Sequence, residues 1–206
     1  MMDDGLAKLA AYRRGALHHA KFPVDTTIDP RLQYIAVDGP EHLNLGSGVN
    51  PIPGAVNVDV QPFQGVDLTF DFTQPWPLPD TSYDKVSMFH CLEHVTPIAA
   101  LTLVREAYRV LRWEGVFLAE VPDIVGLCAG LTAGNFGMMT GAIYGGYDAP
   151  EDAHRYGYTA SSLALLCQLA GFGRLVTKAG TDYHAPQMPT VRVEAVKIVS
   201  RSKAAA

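Results

Sequence analysis

The chain has 206 residues, 48% of them apolar and 18% charged, with a net charge of −5. Those values fit one domain with a sizeable core and exclude a low-hydropathy disordered chain. They argue against a nucleic-acid partner, because phosphate binding draws on clustered Lys and Arg, and no basic run here exceeds Arg13-Arg14. The three cysteines, Cys91, Cys128 and Cys167, lie far apart without a CxxC pair, so neither a disulfide framework nor a zinc knuckle is indicated. Their apolar surroundings read as buried thiols in a reducing compartment.

Taken in order, the opening MMDDGLAKLAAYRRGALHH has no apolar h-region and its first charges are acidic, which predicts a cytoplasmic protein without a secretory signal. Leu6, Leu9, Arg13 and Leu17 predict an amphipathic helix over 3–20. It ends at His18-His19, a pair that needs further ligands to hold a metal. Pro23, Pro30 and Pro40 mark 21–41 as a linker. Strands are expected at His42–Leu45, Ala55–Val60, Leu68–Phe72 and Tyr83–Phe89. A helix follows from Pro97 to Leu111, with Ile98, Leu101, Val104 and Leu111 on its apolar face. Val116–Val121 is a further strand.

The stretch from Ile124 to Tyr147 has no charged residue and the length of a bilayer span. Its repeated glycines and Asn135 fit a flexible segment over a site better than a membrane helix, so no membrane association is expected. Thr159 caps a helix over Ala160–Ala170 that stops at Gly171. Strands at Arg174–Lys178 and Val191–Val199 end the chain. Short strands alternating with helices predict an α/β fold. It is an open, mostly parallel Rossmann-like sheet with helices on both faces and an antiparallel C-terminal edge.

The chemistry concentrates in HLNLGSGVNPIPGAVNVDV, from His42 to Val60. Gly46 and Gly48 allow a ligand to approach the backbone where a Cβ would collide. Asp59, at the end of the next strand, is able to accept both ribose hydroxyl hydrogens. The third glycine of a dinucleotide fingerprint would fall at Pro51, and the path to Asp59 is too short for a full crossover helix. That removes the usual phosphate-binding helix N-terminus and disfavours NAD, FAD and nucleoside triphosphates. A nucleoside without phosphates remains.

HLNLGSG, NVDV, FDFTQPWPLPDTSYDKVSMFHCLEHV and EAYRVLRWEGVFLAEVPD together resemble the class I S-adenosylmethionine-dependent methyltransferases, in particular their small type-11-like branch. The resemblance covers His42 to Asp123, and extends more loosely over His154 to Phe172. It implies S-adenosylmethionine as cofactor. Leu45, Gly46, Ser47 and Gly48 would wrap its methionyl and ribose part, with Asp59 and Val60 at the ribose. Asp71, with Asp67 as rival, would meet the adenine amino group and the Phe72 backbone its ring. His90 would lie beside the sulfonium, and Glu93 and His94 match the family's LEH turn. Two departures are the short first crossover and Trp113-Glu114-Gly115 where the family has a proline-glycine-glycine turn. One domain, 1–206, is then expected: helix and linker (1–41), cofactor-binding core (42–123), a Gly-rich acceptor-side insertion (124–158) and C-terminal helix and strands (159–206).

In-line methyl transfer asks the protein mainly to position the acceptor and exclude water, with a base only where the acceptor must lose a proton. His154 and His90 are the candidate bases, since histidine titrates near neutral pH. Tyr144, Tyr147, Tyr156 and His154 are the candidate acceptor-binding residues, on a small molecule or a metabolite-linked group. For His154 a surface hydrogen bond to Glu151 or Asp152 is the alternative, and for the tyrosines plain packing. A domain that binds the cofactor without catalysis is the alternative function. Self-association into a homodimer is left open.

Overall fold

In the computed structural model the described residues are 40–146, 149–182, 184–185 and 187–198. The helix and linker expected before residue 40, and Tyr147, lie outside them. Alternating apolar residues build the centre of one sheet. Its strands are β1 (His42–Leu45), β2 (Val56–Asp59), β3 (Leu68–Thr69), β4 (Tyr83–Phe89), β5 (Leu111–Pro122), β6 (Gly173–Ala179) and β7 (Thr190–Val196). The order across the sheet is β3-β2-β1-β4-β5-β7-β6. The strands from β3 to β5 are parallel, and β7 runs against both β5 and β6, forming the antiparallel C-terminal edge.

Among the described residues three of the four α-helices start at a capping side chain. In α1 (Pro97–Val110) the Thr96 side chain accepts from the Ala99 N–H and proline occupies the first turn, where no N–H is needed. Its Leu101, Leu103, Val104, Ala107 and Val110 are buried, while Ile98, expected on that face, is exposed because it lies in the solvent-facing first turn. Helix α4 (Ala160–Ala170) starts at the reciprocal Thr159–Ser162 cap and stops at Gly171 in the left-handed region, φ +111°. Helices α1 and α4 pack on each other, and their apolar faces close the core with Leu43, Leu45, Val86 and Met88 of the central strands.

The glycine-rich stretch is helical rather than a flexible loop. It forms α2 (Ile124–Thr132), capped by Asp123, and α3 (Phe136–Tyr144). Gly130 serves close packing: a Cβ there would lie 2.6 Å from the Met139 sulfur, so the bare backbone lets α2 and α3 approach, whereas a Cβ on Gly134, Gly137 or Gly141 would meet open space. No helix among the described residues is long and apolar enough to cross a membrane. Cys91 and Cys167 are buried, but Cys128 is exposed on α2, because an apolar sequence neighbourhood does not say which side of a helix faces the core.

Between β1 and β2 the crossover contains no helix among its described residues. The sheet there carries a polar row. Asn44 and its register partners Asn57 and Ser87 alternate with the core-facing leucines and valines, and so share the opposite face with His42. His42 Nε2 lies 2.7 Å from Ser87 Oγ, which donates to Asn44 Oδ1; Asn44 Nδ2 donates to Asn57 Oδ1. Asn57 also accepts from the Ile52 N–H and donates to the Ile52 and Ala55 carbonyls. The short crossover is thus tied to the sheet by a buried amide rather than by helix packing.

Candidate active site

At the carboxyl ends of β1, β2 and β4 a cavity of about 1200 Å³ opens. The turn after β1 forms its floor. Gly46 and Gly48 both adopt positive φ, +67° and +52°, which explains the GxG spacing. A Cβ on Gly46 would lie 3.1 Å from the Cys91 side chain. The Gly46 and Ser47 N–H groups donate to the Val58 carbonyl, holding the turn against β2.

Asp59 is buried at the end of β2. Its Oδ2 accepts from the Gly48 N–H at 2.8 Å and its Oδ1 from the Gln61 N–H at 3.0 Å, so the backbone fixes the carboxylate in the cavity wall. Each oxygen retains a lone pair for a ligand hydroxyl. Asp71 also lines the cavity, and hydrogen bonds from the Thr73 hydroxyl and N–H hold its carboxyl below the usual range. Asp67 does not line it; this carboxylate accepts from the Asn57 N–H and belongs to the polar row. Phe72 is a lining residue packed edge-on against Phe70, and its carbonyl takes the Trp76 indole N–H. Val60 lines the cavity and is exposed, whereas Leu45 lies wholly in the core.

The far wall is ionic. His90, at the end of β4, is a non-glycine residue with φ +49°. Its Nδ1 lies 3.1 Å from Glu93 Oε1 and its Nε2 3.1 Å from Asp182 Oδ2, and its ring contacts that of His184. Burial opposes protonation of His90, but the Glu93 hydrogen bond and the charges of Glu93, Asp182 and Glu120 outweigh it and raise its pKa. Burial likewise disfavours the charged form of Asp182, yet the His184 hydrogen bond and the nearby His90 lower its pKa. Fully buried Glu120 of β5 holds this loop, accepting from the Thr181 and Asp182 N–H groups at 2.6 and 2.8 Å.

His154, Tyr144 and Tyr156 are not cavity-lining residues. His154 stands behind the wall, with Nδ1 2.9 Å from the Ala142 carbonyl oxygen, and burial lowers its pKa. Tyr144 is exposed at the end of α3. Tyr156 packs edge-on against Tyr158 at the margin of the core. In their place the wall contains Asp182, Arg192 and Arg155, which the sequence reading left out. The Asp182-x-His184 spacing was the only local signal, because β6 and β7 had to be paired before their connecting loop reached β4.

These features line a cavity at the carboxyl ends of the strands of an open α/β sheet, where such sheets bind their ligands. A profile of the family described as "Methyltransferase domain", type 11, matches residues 45–119. Among solved structures, an S-adenosylmethionine-dependent methyltransferase from Methanosarcina mazei superposes with TM-score 0.59 at 14% identity, over 84% of this chain and 99% of that one. One from Archaeoglobus fulgidus gives 0.57 at 13% identity, over 93% of each. One from Thermotoga maritima gives 0.55 at 17% identity, over 81% of this chain and 86% of that one. None of the curated proteins matches the sequence. Residues 45–119 thus carry the pattern of the type-11 methyltransferase domain, and the chain has the fold of these S-adenosylmethionine-dependent methyltransferases.

Proposed function

We propose that the enzyme methylates a small molecule or a metabolite-linked group, with donor and acceptor side by side in the one cavity. The observation that carries this reading is the cavity itself. At about 1200 Å³ it exceeds the usual single-ligand pocket of about 300–1,000 Å³, and its two ends differ in chemistry. One end has the glycine turn, the fixed Asp59 carboxylate, Asp71 and Phe72; the other has His90, Asp182, Arg155 and Arg192.

In this reading Gly46, Ser47 and Gly48 pass beneath the methionyl and ribose part of the cofactor. Asp59 accepts from the ribose hydroxyls, Asp71 accepts from the adenine amino group, and Phe72 packs on the ring. Bound S-adenosylmethionine supplies an electrophilic methyl group with a good leaving group already in place. The chain's own task is then to orient the acceptor and keep water out. His90 and Asp182 orient a hydroxyl or amine at the far end. Both His90 nitrogens face carboxylates, which favours the imidazolium and a donor role rather than that of a base.

Calorimetry and a product assay test the reading. Micromolar binding of S-adenosylhomocysteine, no binding of NAD, and S-adenosylhomocysteine release with some member of a panel of hydroxyl- and amine-bearing small molecules are expected. Asp59→Ala is expected to weaken S-adenosylhomocysteine binding by about 10- to 100-fold, since a hydrogen bond to a charged group is worth about 1.5–3 kcal/mol. Binding of NAD in place of S-adenosylhomocysteine, or an unchanged Asp59→Ala affinity, overturns it.

A further inference from the structure

Three side chains at and behind the acceptor-side wall form a grouping that the function proposed above does not use. Glu93 and His94 lie in the single 3-10 turn Leu92–His94 that follows β4. His154 comes from the segment after α3. One donor atom of each lies within 4.8 Å of the others.

The hydrogen bonds around the three leave a specific set of atoms over. His94 Nδ1 is 2.9 Å from the Glu151 carbonyl oxygen, and His154 Nδ1 is 2.9 Å from the Ala142 carbonyl oxygen. A carbonyl only accepts, so each Nδ1 carries the proton and each Nε2 keeps a lone pair. That tautomer, held by a backbone carbonyl, is the one in which histidine ligates metals. Glu93 is 1% exposed. Its Oε1 meets His90, but its buried Oε2 has no hydrogen-bond partner among the described residues. A buried carboxylate oxygen without a donor is unfavourable. The two neighbouring imidazoles, with their protons turned away, offer it none. A cation among the three satisfies all of them.

The backbone holds the ligands in place. The Arg155 and Tyr156 N–H groups both donate to the Glu93 carbonyl, and the His154 N–H to the Tyr144 carbonyl. Gly145 has φ +81°, and a Cβ there would collide with the Asp152 carbonyl and with His154. The adjacent group His90, Asp182 and His184 also has the composition of a metal site. There, however, the Asp182 carboxylate already faces both imidazoles, 3.1 Å from His90 Nε2 without hydrogen-bond geometry and 2.9 Å from His184 Nδ1, so its charge is already engaged.

We propose that Glu93, His94 and His154 form a site for one divalent transition-metal ion, with zinc favoured by two imidazole nitrogens and one carboxylate oxygen. Donors about 2.0–2.2 Å from a tetrahedral ion stand about 3.4 Å apart, so small side-chain rotations bring the three together. The ion ties the turn after β4 to the 149–155 connection. His94, Ala149, Glu151 and Arg155 all border the cavity, so the loaded site fixes the acceptor-side wall. This inference is independent of which acceptor is methylated.

The test uses the full chain without an affinity tag, stripped with a chelator and titrated with Co²⁺ and then Zn²⁺. One equivalent is expected to bind, with the visible absorption of four-coordinate Co²⁺, displaced by Zn²⁺. His94→Ala, His154→Ala and Glu93→Gln are expected to weaken binding by more than about 100-fold, beyond the range for residues that only support a ligand. His184→Ala and the double variant His18→Ala/His19→Ala are expected to bind as the wild type does. Circular dichroism melts confirm that each variant is folded. In the unaltered protein, Zn²⁺ is expected to protect His94 and His154, and not His184, from diethylpyrocarbonate. Absence of micromolar binding overturns the proposal. So does loss of binding in the His184 or His18/His19 variants with retention in His154→Ala, or protection of His184 in place of His94 and His154.

Discussion

Single residues in the first crossover do work that a helix does in a longer one. Asn57 satisfies Asn44 and pins the backbone of Ile52 and Ala55. Asn57→Ala leaves buried donors and acceptors unpaired, each costing about 1–3 kcal/mol, so a loss of about 2–4 kcal/mol in urea unfolding is expected. Gly46 is constrained twice, by φ +67° and by Cys91 at 3.1 Å from any Cβ. Gly46→Ala is expected to cost at least about 1–2 kcal/mol, read from the same unfolding midpoint, and more if Cys91 has no room to shift. Asp59 shows how the structure sharpens a sequence motif: its two backbone hydrogen bonds fix the carboxylate as part of the turn.

At the scale of elements, the connection from β3 to β4 is held by α1. Arg109 donates to the Trp76 and Leu78 carbonyls and pairs with Asp80 and Glu106, while Glu106 accepts from the Trp76 N–H. The hydrogen bond from Arg109 holds the Glu106 carboxyl below its usual range. A lowered carboxyl pKa contributes stability that is complete above the unfolded value, about 4.3, and is lost as pH falls through the lower folded value. Wild type is therefore expected to exceed Glu106→Gln in urea midpoint at about pH 6, with the gap narrowing toward about pH 3. The Trp113-Glu114-Gly115 departure also has a local explanation. Residues 112–115 of β5 stand opposite Asp84 alone on β4, with Glu114 at φ +66°. The two terminal nitrogens of the Arg174 guanidinium donate to the Glu114 carboxylate, at 2.9 and 3.0 Å.

For the whole molecule, the cavity joins the earliest strands of the sheet to its last loop. A ligand spanning it contacts the turn after β1 and approaches the 181–182 loop that Glu120 holds between β6 and β7. Binding to the folded state alone stabilises by about 2.7 kcal/mol at a ligand concentration of 100 Kd. For a chain of this length that corresponds to a rise in Tm of about 5–10 °C. Scanning calorimetry with S-adenosylhomocysteine is expected to show it, with NAD at the same concentration leaving Tm unchanged.

The sequence by itself determined the order of the strands, the helices that start at Pro97 and Ala160, the glycine turn, the place of Asp59 at a strand end and the lack of a third fingerprint glycine. Each of these rests on local rules: strand alternation, a cap at Thr159, a Cβ-free turn, or a proline where a third glycine would stand. The same local rules exposed the core positions of α1 but misjudged Ile98 and Cys128, whose environment depends on which neighbour arrives. Only the tertiary structure brought Asp182 to His90, separated by most of the C-terminal half, and placed His154 outside the cavity lining, beside Glu93 and His94. It also gave the glycine-rich stretch its helices, since the room that Gly130 leaves has meaning only once Met139 is packed into it. Partners set by the pairing of distant strands cannot be read from spacing, because spacing records the chain's path and not the contacts that its folding brings about.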